Sequence, residues 1–129
     1  MKIETLTLCD YAREEGGKFS VMGMYKLIST RSLPHTLNDV CFAIRIELRR
    51  GEQITAPLYF DLKHKDTDRY LISRIQLDPQ AIGDSHDAAM LNLIIKIQGI
   101  TFQAIGEYLI SLHYGEETFE SSFYVVGAE

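Results

Sequence analysis

Residues 100–126 read ITFQAIGEYLISLHYGEETFESSFYVV. From Tyr108 onward an alternating pattern sets in, with Tyr108, Ile110 and Leu112 on one face. Tyr114-Gly115-Glu116-Glu117 breaks the run with turn chemistry, and Phe119, Ser121, Phe123 and Val125 then share a face. A period of two marks a strand with one side in a core and the other in water. Two such runs around a Gly-bearing turn read as a hairpin.

The same period runs upstream. Phe42, Ile44, Ile46 and Leu48 alternate with Ala43, Arg45, Glu47 and Arg49. Leu58, Phe60, Leu62 and His64 alternate with Tyr59, Asp61, Lys63 and Lys65, and Leu91, Leu93, Ile95 and Ile97 share a face. Strands are expected over roughly 2–9, 18–22, 24–30, 40–49, 57–65, 69–77, 89–98, 107–114 and 118–126. The gaps carry turn residues: Glu15-Gly16-Gly17, Arg50-Gly51-Glu52, Asp66-Thr67-Asp68 and Gly83 to Asp87. No long segment shows a 3.6-residue period, and Leu77 to Ile82 has room for one short helical turn. Many short strands at this spacing imply an all-β sandwich or barrel.

At 129 residues and 46% hydrophobic content, the chain suits a single domain over 1–129 that buries its own core and needs neither metal nor disulfide for stability. The net charge of −5 argues against non-specific nucleic-acid binding. That charge is uneven: residues 1–65 carry +2 and residues 66–129 carry −7. The opening MKIETLTLCD lacks the apolar stretch of a signal peptide, and no apolar run is long enough to span a bilayer. Two cysteines in such a chain are expected to be reduced, which favours a cytoplasmic protein that does not enter membranes.

The closing hairpin resembles the end of immunoglobulin-like sandwiches, where Gly-x-Tyr often opens the penultimate strand; Gly106 and Tyr108 match. The resemblance implies a tyrosine corner, with the Tyr108 hydroxyl bonding back to the preceding loop. The chain has no Trp, and no Cys lies two residues after Tyr108, which excludes an antibody-type domain. The expected fold is an immunoglobulin-like antiparallel β-sandwich of about eight strands. A second resemblance lies in LTLCDYAREEGGKFSVMGMY, residues 6–25. It resembles the start of a family of small bacterial proteins that open with a strand, Cys-Asp or Ala-Asp, a short loop, Gly-Gly-Lys, a strand and a further Gly. The matching positions are Cys9, Asp10, Gly16, Gly17, Lys18 and Gly23. That family has no established activity, so the likeness implies a fold and no function. Ser29 to Asp39 departs from it in being poorer in Gly and Pro.

Gly-Gly-Lys here is no phosphate loop. Phe19 stands where the Ser or Thr of a P-loop belongs, and a strand follows where a helix N-terminus should face the anion. The expected role is a tight turn, with Gly16 or Gly17 at positive φ and Asp10 capping the loop by accepting backbone N–H bonds. Cys9 and Cys41 fall on strands with no His near them in sequence and read as buried thiols. The four histidines, His35, His64, His86 and His113, form no metal-ligand spacing. His64 with Asp61, Asp66 and Asp68, and His86 with Asp84 and Asp87, read as polar turns. No G-x-S-x-G elbow is present, and the acids fall mostly on outer strand faces and in turns. Arg45, Glu47, Arg49, Tyr59, Asp61 and Lys63 would form one charged face if their two strands paired.

Met90, Ile94, Leu109, Tyr124 and Val126 are apolar residues at outward phase, which points to contact with a protein partner or a second copy. The sequence therefore favours a non-enzymatic interaction or assembly module, of bacterial or phage origin, without a cofactor. The alternatives are a small-ligand or carbohydrate binder using end loops, and a hydrolase with an unrecognised site.

Overall fold

The computed structural model describes residues 1–78 and 88–128. The helical turn expected within 77–82, the turn at 83–87 and the grouping of His86 with Asp84 and Asp87 thus lie partly or wholly outside the described residues. Among the described residues nine strands are present: β1 (Lys2–Glu15), β2 (Lys18–Met24), β3 (Leu27–Thr30), β4 (His35–Arg49), β5 (Leu58–His64), β6 (Arg69–Leu77), β7 (Ala88–Phe102), β8 (Gly106–Tyr114) and β9 (Glu117–Gly127). They form two sheets, in the orders β2-β1-β4-β7 and β3-β9-β8-β5-β6. Among the described residues no helix is long and apolar enough to cross a membrane.

The alternating side chains make the two sheets share one core. Phe42, Ile44, Ile46 and Leu48 of β4 pack against Leu58, Phe60 and Leu62 of β5 and Tyr108, Ile110 and Leu112 of β8. Ring contacts bridge the layers, with Phe42 and Phe60 centroids 4.9 Å apart and Phe102 meeting Tyr108 edge-on at 5.0 Å. Burying each such side chain contributes about 1.5–3 kcal/mol. Ser121 of β9 also donates a hydrogen bond to the Leu6 carbonyl of β1, across the layers.

Several expectations need correction. The strands, nine among the described residues, are not all antiparallel: β3 runs parallel to β9, with Leu27 opposite Tyr124. β4 and β5 belong to different sheets, so the set around Arg45 and the set around Tyr59 do not share a face. Local periodicity gives each strand two faces but cannot say which strand lies beside it. Residues 10–15, read as loop, continue β1 and pair with β2. Only Gly16 and Gly17 form the turn, at φ 57° and 82°. Positive φ at both central residues is what a two-residue primed turn needs to match strand twist.

Candidate functional site

The four sheet edges differ in how well they are guarded. β3 is four residues long. β6 carries Arg69 and Arg74, Arg74 sits at φ 40°, and the β5–β6 ladder shifts register twice. β2 is seven residues long, starts at Lys18 and carries Gly23 at φ 68°. Short length, charge and bulges are the usual devices that stop an edge pairing with another chain. β7 has none of them in strength. It runs fifteen residues with Lys96 as its one charge and no proline. Its ladder to β4 keeps one register from His35–Phe102 to Arg49–Ala88. Among the described residues no strand pairs with its other edge.

Beside the last residues of β7 the two-layer stack opens. Leu71 and Ile72 of β6 face Ile97 and Ile100 of β7 across a cleft of about 420 Å³, with Thr67, Arg69, Tyr70, Thr101 and Gln103 also lining it. An apolar floor with a few polar groups at its rim is the usual make-up of a ligand or side-chain pocket. Two buried side chains close its inner end. Tyr108 Oη donates to the Ala104 carbonyl at 2.5 Å. His64 Nε2 lies 2.8 Å from the Ile105 carbonyl, which can only accept, so Nε2 carries the hydrogen. Nδ1 is then free to accept from the Thr67 hydroxyl at 2.8 Å. His64 is thereby fully used in holding the β7–β8 corner. Gly106 belongs to the same corner, since a Cβ there would lie 2.8 Å from His64 Nε2.

The five outward apolar residues do not form one surface. Met90 and Ile94, both half-buried, lie on the outer side of β7 in the four-stranded sheet. Leu109, Tyr124 and Val126 lie on the outer side of β8 and β9 in the five-stranded sheet. Tyr124 carries Lys26 Nζ over its ring at 5.7 Å. On the first of these faces, Arg45 and Asn92 are opposite each other in the β4–β7 register. Arg45 Nε and Asn92 Oδ1 are both buried there without a hydrogen-bond partner.

Asp10 does not cap the Gly16–Gly17 loop. It sits six residues earlier on β1, exposed, and accepts a hydrogen bond from the Tyr25 hydroxyl. That bond, together with burial, pushes the Tyr25 phenol up to about 12. The same carboxylate occupies the space over Gly23, where a Cβ would lie 2.3 Å from Oδ2. Neighbouring Cys9 is buried against Cys41 of β4, its register partner, with the two sulfurs 3.4 Å apart. Burial and the adjacent thiol push Cys9 up to about 12. These thiols form a second apolar cluster with Ala12 and Ala43, covered by Phe19 and Val21 of β2 and Ile94 of β7.

One polar constellation was missed in the sequence. His113 of β8 bonds Asp61 of β5 through Nε2 at 2.8 Å and Thr118 of β9 through Nδ1 at 3.0 Å. Both ring nitrogens are occupied, so the group ties three neighbouring strands together. It could have been found only by knowing that β5 lies beside β8, which places Asp61 diagonal to His113. His64 and Asp61 point to opposite sides of β5, so they do not converge. Among the described residues no three His, Cys, Asp or Glu side chains are grouped as metal ligands.

The chain belongs to a family of unknown function, DUF6941, whose match over residues 4–126 reaches from β1 into β9. A search of curated proteins finds no match to it.

Proposed function

We propose that this chain is a non-enzymatic protein-interaction module that assembles by strand addition at the free edge of β7, with a second copy of itself as the partner. The observation that carries the reading is the contrast between this edge and the other three. A fifteen-residue edge with one charge offers a row of unpaired N–H and C=O groups to another chain. The half-buried Met90 and Ile94 flank that edge, and Asn92 Oδ1, without a hydrogen-bond partner, leaves accepting capacity unused on the same face. A symmetric pair of β7 strands, running antiparallel, satisfies the isologous geometry of a two-fold dimer.

An immunoglobulin-like reading of the fold explains why this edge is open. In that reading β4 and β7 are the B and E strands, β5, β8 and β9 are C, F and G, and the parallel β3 is a split first strand. The strand that would follow E in its sheet has no counterpart among the described residues, and among them β7 is the last strand of its sheet. The Tyr108–Ala104 bond supports the same reading as a tyrosine corner. We place the module in the cytoplasm, where its two thiols stay reduced.

The test is solution mass by light scattering, at low and high salt. The expected species is a dimer that persists at high salt. Asn92→Lys with Ile94→Lys should return it to monomer by setting like charges opposite each other in the new ladder. Leu109→Lys, on the other sheet, should leave the dimer intact. A monomer of 14.7 kDa at every concentration and salt would sink the reading.

The cleft supports a second reading, a small-ligand binder. Its volume of about 420 Å³ falls within the range of drug-sized pockets, about 300–1,000 Å³. Under that reading Ile97→Trp would abolish ligand-induced thermal stabilisation without changing the oligomeric state.

A further inference from the structure

We propose that Cys9 and Cys41 form a reversible dithiol–disulfide site, in which Cys41 attacks a low-molecular-weight disulfide and Cys9 resolves the adduct. The site rests on the β1–β4 pairing and its cleft on the side chains of Lys96 and Gln98, and it does not depend on the assembly reading above.

Three placements carry the inference. Cys9 and Cys41 face each other directly in an antiparallel ladder, with their sulfurs in contact at 3.4 Å. Directly opposed residues have Cα atoms about 4.5–5.5 Å apart, inside the span of about 4.4–6.8 Å that a disulfide bridges. The two thiols differ in access. Cys9 is fully buried, whereas Cys41 retains 5% exposure and lines a surface cleft of about 370 Å³. Asp10, Tyr11, Asp39, Lys96 and Gln98 also line this cleft. Lys96 is moreover the register neighbour of Cys41 on its other side, so Cys9, Cys41 and Lys96 form a row across β1, β4 and β7. A thiol in the wall of a cleft, with a lysine as its register neighbour and a second thiol in contact behind it, supplies the attacking and resolving groups of a dithiol pair.

The Cys41 thiolate attacks one sulfur of the small disulfide, forms a mixed disulfide and expels one small thiolate. Cys9 then gives up its proton and attacks Cys41 Sγ, forming the Cys9–Cys41 bond and expelling the second small thiolate. The two protons lost by the cysteines end on the two leaving thiols, and the reagent's disulfide is the two-electron oxidant. Burial holds Cys9 in its protonated form, up at about 12, so it does not compete for the first attack. With Asp10 and Asp39 against Lys96, the cleft favours a cationic reagent over an anionic one.

The experiment treats the folded protein with cystamine at neutral pH and follows intact mass and total thiols, the latter counted after denaturation. The expected result is loss of both thiols together, no retained cysteamine and a Cys9–Cys41 linked peptide on digestion. Cys9→Ser should trap one cysteamine on Cys41. Cys41→Ser should leave Cys9 reacting at least about ten-fold more slowly. Untouched thiols, a stable cysteamine adduct on the wild-type chain, or a covalent dimer on a non-reducing gel would each overturn the proposal. The wild-type result decides it even if a variant fails to fold.

Discussion

Asp10, Gly23 and Tyr25 form one interlocked unit: the carboxylate accepts from the tyrosine and fills the space that the glycine leaves. Gly23→Ala therefore meets two obstacles, a backbone at φ 68° and an oxygen 2.3 Å from its new Cβ. The backbone alone costs about 1–3 kcal/mol. In chemical denaturation the double variant with Asp10→Ala should lose less stability than the sum of the single variants, because removing the carboxylate relieves the clash and leaves only the backbone strain. Additive losses would mean that Asp10 does not fill the space over Gly23. The Tyr25–Asp10 bond also sets a pH dependence. The folded-state pKa of Tyr25 is raised from 10.0 to about 12, so the folded chain holds this proton longer than the unfolded chain. The stabilisation is complete below pH 10 and is lost as pH rises from there through about 12. Cys9, raised from 9.0 to about 12, steepens the same alkaline limb from pH 9 upward. Tyr25→Phe should flatten the upper part of that limb, measured as the denaturation midpoint against pH, and Cys9→Ser the lower part.

At the scale of the element, the β1–β2 hairpin is the clearest case of local rules meeting tertiary ones. Its turn is set by Gly16 and Gly17. Gly16→Asn preserves a primed turn and should change stability by no more than about 0.5 kcal/mol. Gly17→Val places a β-branched residue at φ 82° and should cost about 1–3 kcal/mol in the same denaturation assay. Equal effects at both positions would rule out this turn geometry. The hairpin flanks are not local. Phe19 and Val21 lie over the Cys9–Cys41 cluster, while Tyr11, Met22 and Met24 remain exposed at 49%, 62% and 66%. The hairpin is thus a cover for the thiol pair.

On the scale of the whole molecule, the proposed pairing at the β7 edge makes a prediction for behaviour in solution. If copies pair there, the apparent melting temperature should rise with protein concentration, because association stabilises the folded chain by mass action. The dependence should vanish in the Asn92→Lys, Ile94→Lys variant and persist in Leu109→Lys. Amide exchange along β7 should slow as concentration rises. A concentration-independent melting temperature in the wild type would count against assembly through this edge.

The sequence alone determined the all-β class, nearly every strand position and the core residues, because a period of two is written into each segment and needs no partner to be read. It also placed Gly16 and Gly17 in the turn, since positive φ is a property of the residue itself. Tertiary structure decided what depends on neighbours. Asp10 looked like a loop cap because its chain neighbours are turn residues; folding put Tyr25 and Gly23 against it. Met90 and Ile94 looked like companions of Leu109, Tyr124 and Val126 because all share an outward phase, yet phase does not say which sheet a strand joins. Cys9 and Cys41 looked like two unrelated thiols 32 residues apart. Only the β1–β4 register brings their sulfurs into contact and sets Lys96 beside them, because strand pairing is a long-range choice that the hydrophobic pattern of each strand leaves open.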